Sequence, residues 1–83
     1  MNLCFFIGKI TSDIKFKFII NSKQYMAISM FTLEVNKKCI LKVKTYNELA
    51  DKCYQRLVKS DIVGIQGFID SNMVIIVEDI YYM

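Results

Sequence analysis

Between Leu41 and Leu57 the hydrophobic period of this chain changes once, and that change limits the folds open to it. In "LKVKTY", Leu41, Val43 and Thr45 alternate with Lys42, Lys44 and Tyr46. A two-residue alternation marks a strand with one hidden face and one face offered outward. From Asn47 the repeat becomes helical, with Leu49, Cys53 and Leu57 recurring at i, i+4 and i+8 beside Ala50 and Tyr54. Asn47 is placed to cap this helix, and Glu48 and Asp51 lie near its start, where the dipole favours negative charge. Lys59 sits at the far end, where a cation is favoured. One helix is thus set among strands.

The flanking segments supply the other strands. "NLCFFIGKI" reads as a first strand, apolar on both faces, and such a strand is either covered twice or pairs with another subunit. "DIKFKFI" alternates Ile14, Phe16 and Phe18 with Lys15 and Lys17, and continues the first strand after a bend near residues 8–12. "INSKQ" is a turn built on Asn21 and Ser22. "YMAISMFTLEV" follows, with Ala27, Ser29, Phe31, Leu33 and Val35 on one face and Met26, Ile28, Met30, Thr32 and Glu34 on the other. Met26, Ile28 and Met30 form an apolar patch that a lone barrel leaves open for a protein contact, unless a loop covers it. Asn36, Lys37 and Lys38 turn the chain without glycine into the third strand, Cys39 to Tyr46. After the helix, "IVGIQGFI" puts Val63, Ile65, Gly67 and Ile69 on one face, "DSN" is a tight turn, and "MVIIVEDIYYM" closes the chain. Tyr81 and Tyr82 point to opposite faces, so one of them is expected in the core.

Eighty-three residues make one small domain, 1–83, which buries only about 60–65% of its unfolded surface. No apolar run reaches the roughly 18 residues that span a bilayer, and the N-terminal run lacks the basic flank and cleavage site of a signal peptide. No membrane association is expected, and a cytoplasmic location in a bacterial or plastid-like compartment is. Cys4, Cys39 and Cys53 are odd in number and lack CxxC spacing, so reduced thiols are expected. The chain has no histidine, which removes the commonest general base and a common zinc ligand together. Glu78 and Asp79 adjoin but point to opposite faces of a strand. With no Gly-rich phosphate loop and no metal-ligand spacing, no catalytic residue, metal site or cofactor is assigned, and an enzyme is not expected.

The net charge of +3 hides an asymmetry. Residues 1–46 carry eight lysines against Asp13 and Glu34, a net of +6, and residues 47–83 carry three cations against six acids, a net of −3. A domain polarised in this way suits an anionic partner. Lys42, Lys44 and Tyr46 share the outward face of the third strand. They can hold phosphates and stack a base, or be ordinary solvated residues beside a tyrosine that covers the helix start. Lys15, Lys17, Lys37 and Lys38 lie on neighbouring elements and strengthen the first reading. Phe68, opposite in parity to Val63 and Ile65, stacks on a base or meets another subunit.

Three strands, a helix and a two-stranded hairpin are the layout of an all-β, five-stranded Greek-key OB-fold barrel with its helix between strands three and four. The chain resembles bacterial single-stranded DNA-binding proteins over nearly its whole length. "MNLCFFIGKITSD" is similar to their opening strand at Asn2, Gly8 and Asp13, and "FTLEVN" to their second-strand signature. "YNELADKCYQRLVKSDIVGIQGFI" resembles their helix and fourth strand at Leu49, Ala50, Leu57, Lys59, Val63, Ile65 and Gly67, and "VEDIYYM" their closing strand. The resemblance implies that Tyr46 is the counterpart of an exposed aromatic, that Lys42 holds a basic or polar position on the same face, and that Lys17 holds a basic position of the extended first strand. Ile40 stands where many members have tryptophan, and the "NKK" and "IDSNM" connections are short. The chain also stops at Met83 without the family's flexible tail, in which it is similar to primosomal replication protein N.

The implied function is non-catalytic, largely sequence-independent binding of single-stranded DNA in replication, recombination or repair, by a homodimer or homotetramer. A second reading is an OB-fold assembly module, a primosome-like accessory factor with weak or no nucleic-acid binding. A third has single-stranded RNA as the main ligand.

Overall fold

The computed structural model describes residues 3–21 and 23–83. Asn2 and Ser22, invoked above for the resemblance and for a turn, lie outside them. The elements in order are β1 (Leu3–Ile10), β2 (Lys15–Asn21), β3 (Gln24–Val35), β4 (Cys39–Tyr46), α1 (Asn47–Arg56), β5 (Ile62–Ile69) and β6 (Val74–Tyr82). β1 and β2 are the two arms of the expected first strand. β1 pairs with β5 from Leu3 to Lys9 and touches β3 at Lys9 and Ile10, while β2 pairs with β3 alone. The corner between them is pinned side by side with β3. The Thr11 amide donates to the Thr32 carbonyl at 3.0 Å, the Thr32 amide donates to Ser12 Oγ at 2.9 Å, and the two threonine hydroxyls meet at 2.7 Å.

The barrel closes in the order β1, β5, β6, β4, β3 and back to β1. All these contacts are antiparallel except β4 with β6, which is parallel at Lys42↔Val74, Val43↔Ile75 and Lys44↔Ile76. With β1 and β2 read as one bent strand, this is the five-stranded OB-fold barrel with its helix between the third and fourth strands.

The alternation read from the sequence places the core. Ile10, Leu33, Val43, Val63, Ile65 and Ile75 are almost wholly buried inside the barrel. Each such side chain contributes about 1.5–3 kcal/mol relative to exposure. The helix covers one end through Ala50 and Cys53, with Leu57 buried just past its last turn. Asn47 does not cap it. The N-cap position is Tyr46, with no side-chain cap bond, and Asn47 takes a left-handed φ of 54° to swing the chain from strand to helix. A short amide tolerates that conformation better than most side chains. The helix ends at Arg56, so Arg56 and not Lys59 is the cation in its last turn.

Two other expectations are corrected. Ile28 is only 3% exposed and Met30 half-buried, so of the Met26–Ile28–Met30 face only Met26 stands open. Neither Tyr81 nor Tyr82 is core: Tyr81 packs against Phe5 at 5.8 Å and donates to Asp79, and Arg56 lies over the Tyr82 ring at 5.7 Å. The first strand is apolar on both faces, yet Leu3, Phe5 and Ile7 are each about half exposed on its outer side.

Polar groups in the core are matched. Ser29 and Thr45, both fully buried and opposite each other across β3 and β4, share a hydrogen bond. Burial pushes the neighbouring Cys53 thiol up to about 11 from 9.0, against the opposing pull of hydrogen bonds from Thr45 and Ser29. The folded state therefore holds its proton more tightly than the unfolded chain. This contribution is intact below pH 9 and is lost as the pH rises toward about 11. Alkaline unfolding should begin in that window and be milder in Cys53→Ala once its lower starting stability is subtracted, as measured by urea denaturation at pH 8 and pH 10.5.

Candidate nucleic-acid interface

Cross-strand partners share a face of a sheet, so the registers map the outer wall directly. One row runs Lys17, Ile28, Tyr46 across β2, β3 and β4. The next runs Lys15, Met30, Lys44, Ile76, Phe68, Leu3 across six strands. A third runs Thr32, Lys42, Val74. Successive rows lie about 7 Å apart along the strands. Five of the sequence candidates, Lys15, Lys17, Lys42, Lys44 and Tyr46, therefore fall on adjacent rows of the β2–β3–β4 wall, and Phe68 lies farther round the barrel, on β5.

Within this wall lies an open groove of about 360 Å³. Its floor is Met30 and Val74, its polar rim is Ser12 and Thr32, and its cations are Lys15, Lys42 and Lys44. No carboxylate lines it among the described residues. Ammonium groups on long stems around an apolar floor can hold phosphates at the rim and leave the floor to bases.

The rings are less free than the sequence implies. Tyr46 and Phe68 are both half-buried. The Lys44 ammonium lies 5.9 Å from the centre of the Tyr46 ring, within cation–π range, so the lysine and the ring are placed as one unit. Ile40, 55% exposed, occupies the outer face one row beyond Lys42, opposite Glu34.

Lys37 and Lys38 are exposed but stand apart. They occupy the β3–β4 turn, where Asn36 and Lys37 adopt left-handed φ values of 59° and 62°. The Glu34–Ile40 row lies between them and Lys42. Sequence reasoning missed Ser12, Met30 and Val74 as parts of the groove. Met30 reads as part of an apolar patch for a protein contact and Val74 as a plain strand residue, and the parallel β4–β6 contact that brings Val74 beside Lys42 leaves no local signal.

Solved structures with SSB or single-stranded DNA-binding protein in their names share this fold. The SSB domain of a Synechococcus sp. protein matches with a TM-score of 0.83 and 16% identity, over 99% of this chain and 96% of that one. The wild-type single-stranded DNA-binding protein from Thermus aquaticus matches with a TM-score of 0.86 and 21% identity, over 100% of this chain and 40% of that one. This chain has their fold. A deletion mutant of the Thermus protein agrees at a TM-score of 0.85 and 20% identity, and this chain spans 41% of its length. No protein-family model matches the sequence, and no curated protein matches it. Among the described residues, the SSB-like barrel has no cluster of three metal-ligating side chains and no helix long and apolar enough to cross a membrane.

Proposed function

We propose that residues 1–83 form one non-catalytic unit that binds single-stranded DNA with little sequence preference along the β2–β3–β4 wall, in replication, recombination or repair. The carrying observation is the groove whose three cations come from two strands and whose lining, among the described residues, holds no acid. Lys15, Lys42 and Lys44 take phosphates there, Lys17 extends the track, and Tyr46 and Phe68 offer ring surface to bases. Lys37 and Lys38 are outlying phosphate contacts. A bacterial or plastid-like cytoplasm fits this role.

The active form is a homodimer or homotetramer. Support comes from β1, where Leu3, Phe5 and Ile7 are about half exposed in a row and only one strand edge is paired from Leu3 to Gly8. A second copy would cover that face.

The experiment is a titration of labelled oligo-dT, and of the matching oligo-U, followed by anisotropy at two salt concentrations. Binding of oligo-dT at low salt that weakens with salt is expected, and no binding at low salt would remove the reading. Tyr46→Ala should weaken binding by about 1–3 kcal/mol, the range of one base–aromatic stack. The second reading, an assembly module without nucleic-acid binding, is favoured by Ile40 in place of an aromatic ring. Sedimentation with and without oligonucleotide separates the two.

A further inference from the structure

Beyond Ile28, β3 no longer pairs with β4, and the residues from Gln24 to Ala27 pair only with β2. The two strands thus leave the barrel as a two-stranded arm. Its outer side carries Lys17, Ile19 and Met26, and its inner side carries Phe16, Phe18 and Tyr25, which turn toward α1. Between arm and helix lies a second groove, of about 570 Å³, within the size range of ligand sites. One wall is aromatic: Phe16 stacks on Tyr54 at 4.8 Å, Phe18 meets Phe16 edge-on at 5.0 Å, and Tyr25 meets Phe18 at 6.3 Å. Phe18 is 60% and Tyr25 75% exposed, so the outer rings have faces to spare.

The other wall is acidic. Glu48 and Asp51 lie three residues apart on α1, so both carboxylates stand on one helical face toward the groove. Glu48 has no partner among the described residues, and Asp51 receives only the Gln55 amide at 3.4 Å. No cation lines this groove among the described residues.

Rings opposite carboxylates select a cation with a flat or apolar body. A guanidinium stacks on aromatic faces and takes a carboxylate in a two-pronged bond, which a hydrated ammonium does less well. The polyanion proposed for the lysine wall is repelled here, so the groove is free while that wall is in use. We propose that this groove docks a short extended segment of a partner protein that carries arginine beside an aromatic or aliphatic residue. This does not depend on the nucleic-acid reading.

The test is a titration of the full chain with acetyl-Arg-Phe-Gly-Arg-Phe-amide, followed by amide chemical shifts. Saturable shifts are expected at Phe16, Phe18, Tyr25, Glu48 and Asp51, with little change on the lysine wall. The double variant Glu48→Gln, Asp51→Asn should bind the peptide at least tenfold more weakly, and Tyr25→Ala should weaken it independently. The double variant should lose no more than a few degrees of melting temperature, the part the two carboxylates owe to the helix start, and, where oligo-dT binds, should bind it no more weakly. Equal binding of the peptide with glutamate in place of arginine, or binding unchanged in both variants, would overturn the proposal. Spermidine binding as tightly as the peptide would assign the groove to small polyamines instead. Self-association lost in the double variant would assign it to a second copy's lysines. Either result also defeats a partner segment.

Discussion

Replacing Lys15, Lys42 and Lys44 together by glutamine should cost about two to three orders of magnitude in oligo-dT affinity at 50 mM salt. The estimate rests on counterion release. Each phosphate contact on a single strand adds about 0.7 to the slope of log affinity against log salt, and the term vanishes near 1 M. Three lost contacts should therefore flatten the slope by about 2, and mutant and parent should converge at high salt. Glutamine keeps part of each stem, so the apolar floor at Met30 and Val74 stays covered. Lys15 and Lys42 are exposed and Lys44 half-buried at the barrel surface, and none has an ion pair among the described residues, so the fold should survive the change. Lys37→Gln with Lys38→Gln is the matched comparison. Those two ammonium groups lie beyond the Glu34–Ile40 row, so their loss should flatten the slope by less than that of any two groove lysines. If each turn lysine matters as much as each of the three groove lysines, binding follows total charge and not this wall.

The architecture was largely legible because alternation is a local signal. Val43, Ile65 and Leu33 could be assigned inward from their neighbours alone, and the break of period at Asn47 located the helix. That Asn47 turns the chain into the helix without capping it was not legible. Whether a polar residue caps a helix or reverses the chain before it depends on the direction of approach, which β4 sets. The burial of Ile28 and the outward position of both Tyr81 and Tyr82 likewise depend on the coil of the strands and on a shift of register, not on parity. For the site, the lysine face of β4 was visible in the sequence, but its groove was not. That groove needs Lys15 from one arm of a bent strand and Val74 from a strand some thirty residues away, joined by the parallel pairing to β4. The aromatic arm was hidden for a related reason: alternation puts Phe16 and Phe18 on the face opposite Lys15 and Lys17, but the barrel ends before it reaches Phe18.

The register shift between β5 and β6 makes Gly67→Ala strongly destabilising. At this point β5 and β6 lose step: Gln66 pairs with Asp79 while Gly67 pairs with Val77, and Glu78 is left over as a bulge. The bulge brings the two backbones so close that a Cβ on residue 67 would lie 2.1 Å from the Ile76 carbonyl oxygen and 3.0 Å from the Val77 Cα. Both obstacles are main chain, so no side chain can turn aside to relieve them. The strands must separate, and the hydrogen bonds flanking the bulge must stretch, in a part of the barrel wall lined by Ile65 and Val77. A forced methyl in a packed interior costs about 1–3 kcal/mol, and the upper end applies where only backbone can yield. A domain of this size moves about 4–8 °C per kcal/mol, so the melting temperature should fall by about 12–24 °C. Gly64→Ala separates this cause from a general intolerance of methyl groups on β5. Its Cβ would meet the ring tip of Phe5 at 3.0 Å and the end of Met83 at 3.4 Å, both of them ends of exposed side chains that can move. That variant should lose less than about 1 kcal/mol. Thermal unfolding of the two proteins side by side decides the matter, because comparable losses would mean that the close approach at the bulge is not what residue 67 must accommodate.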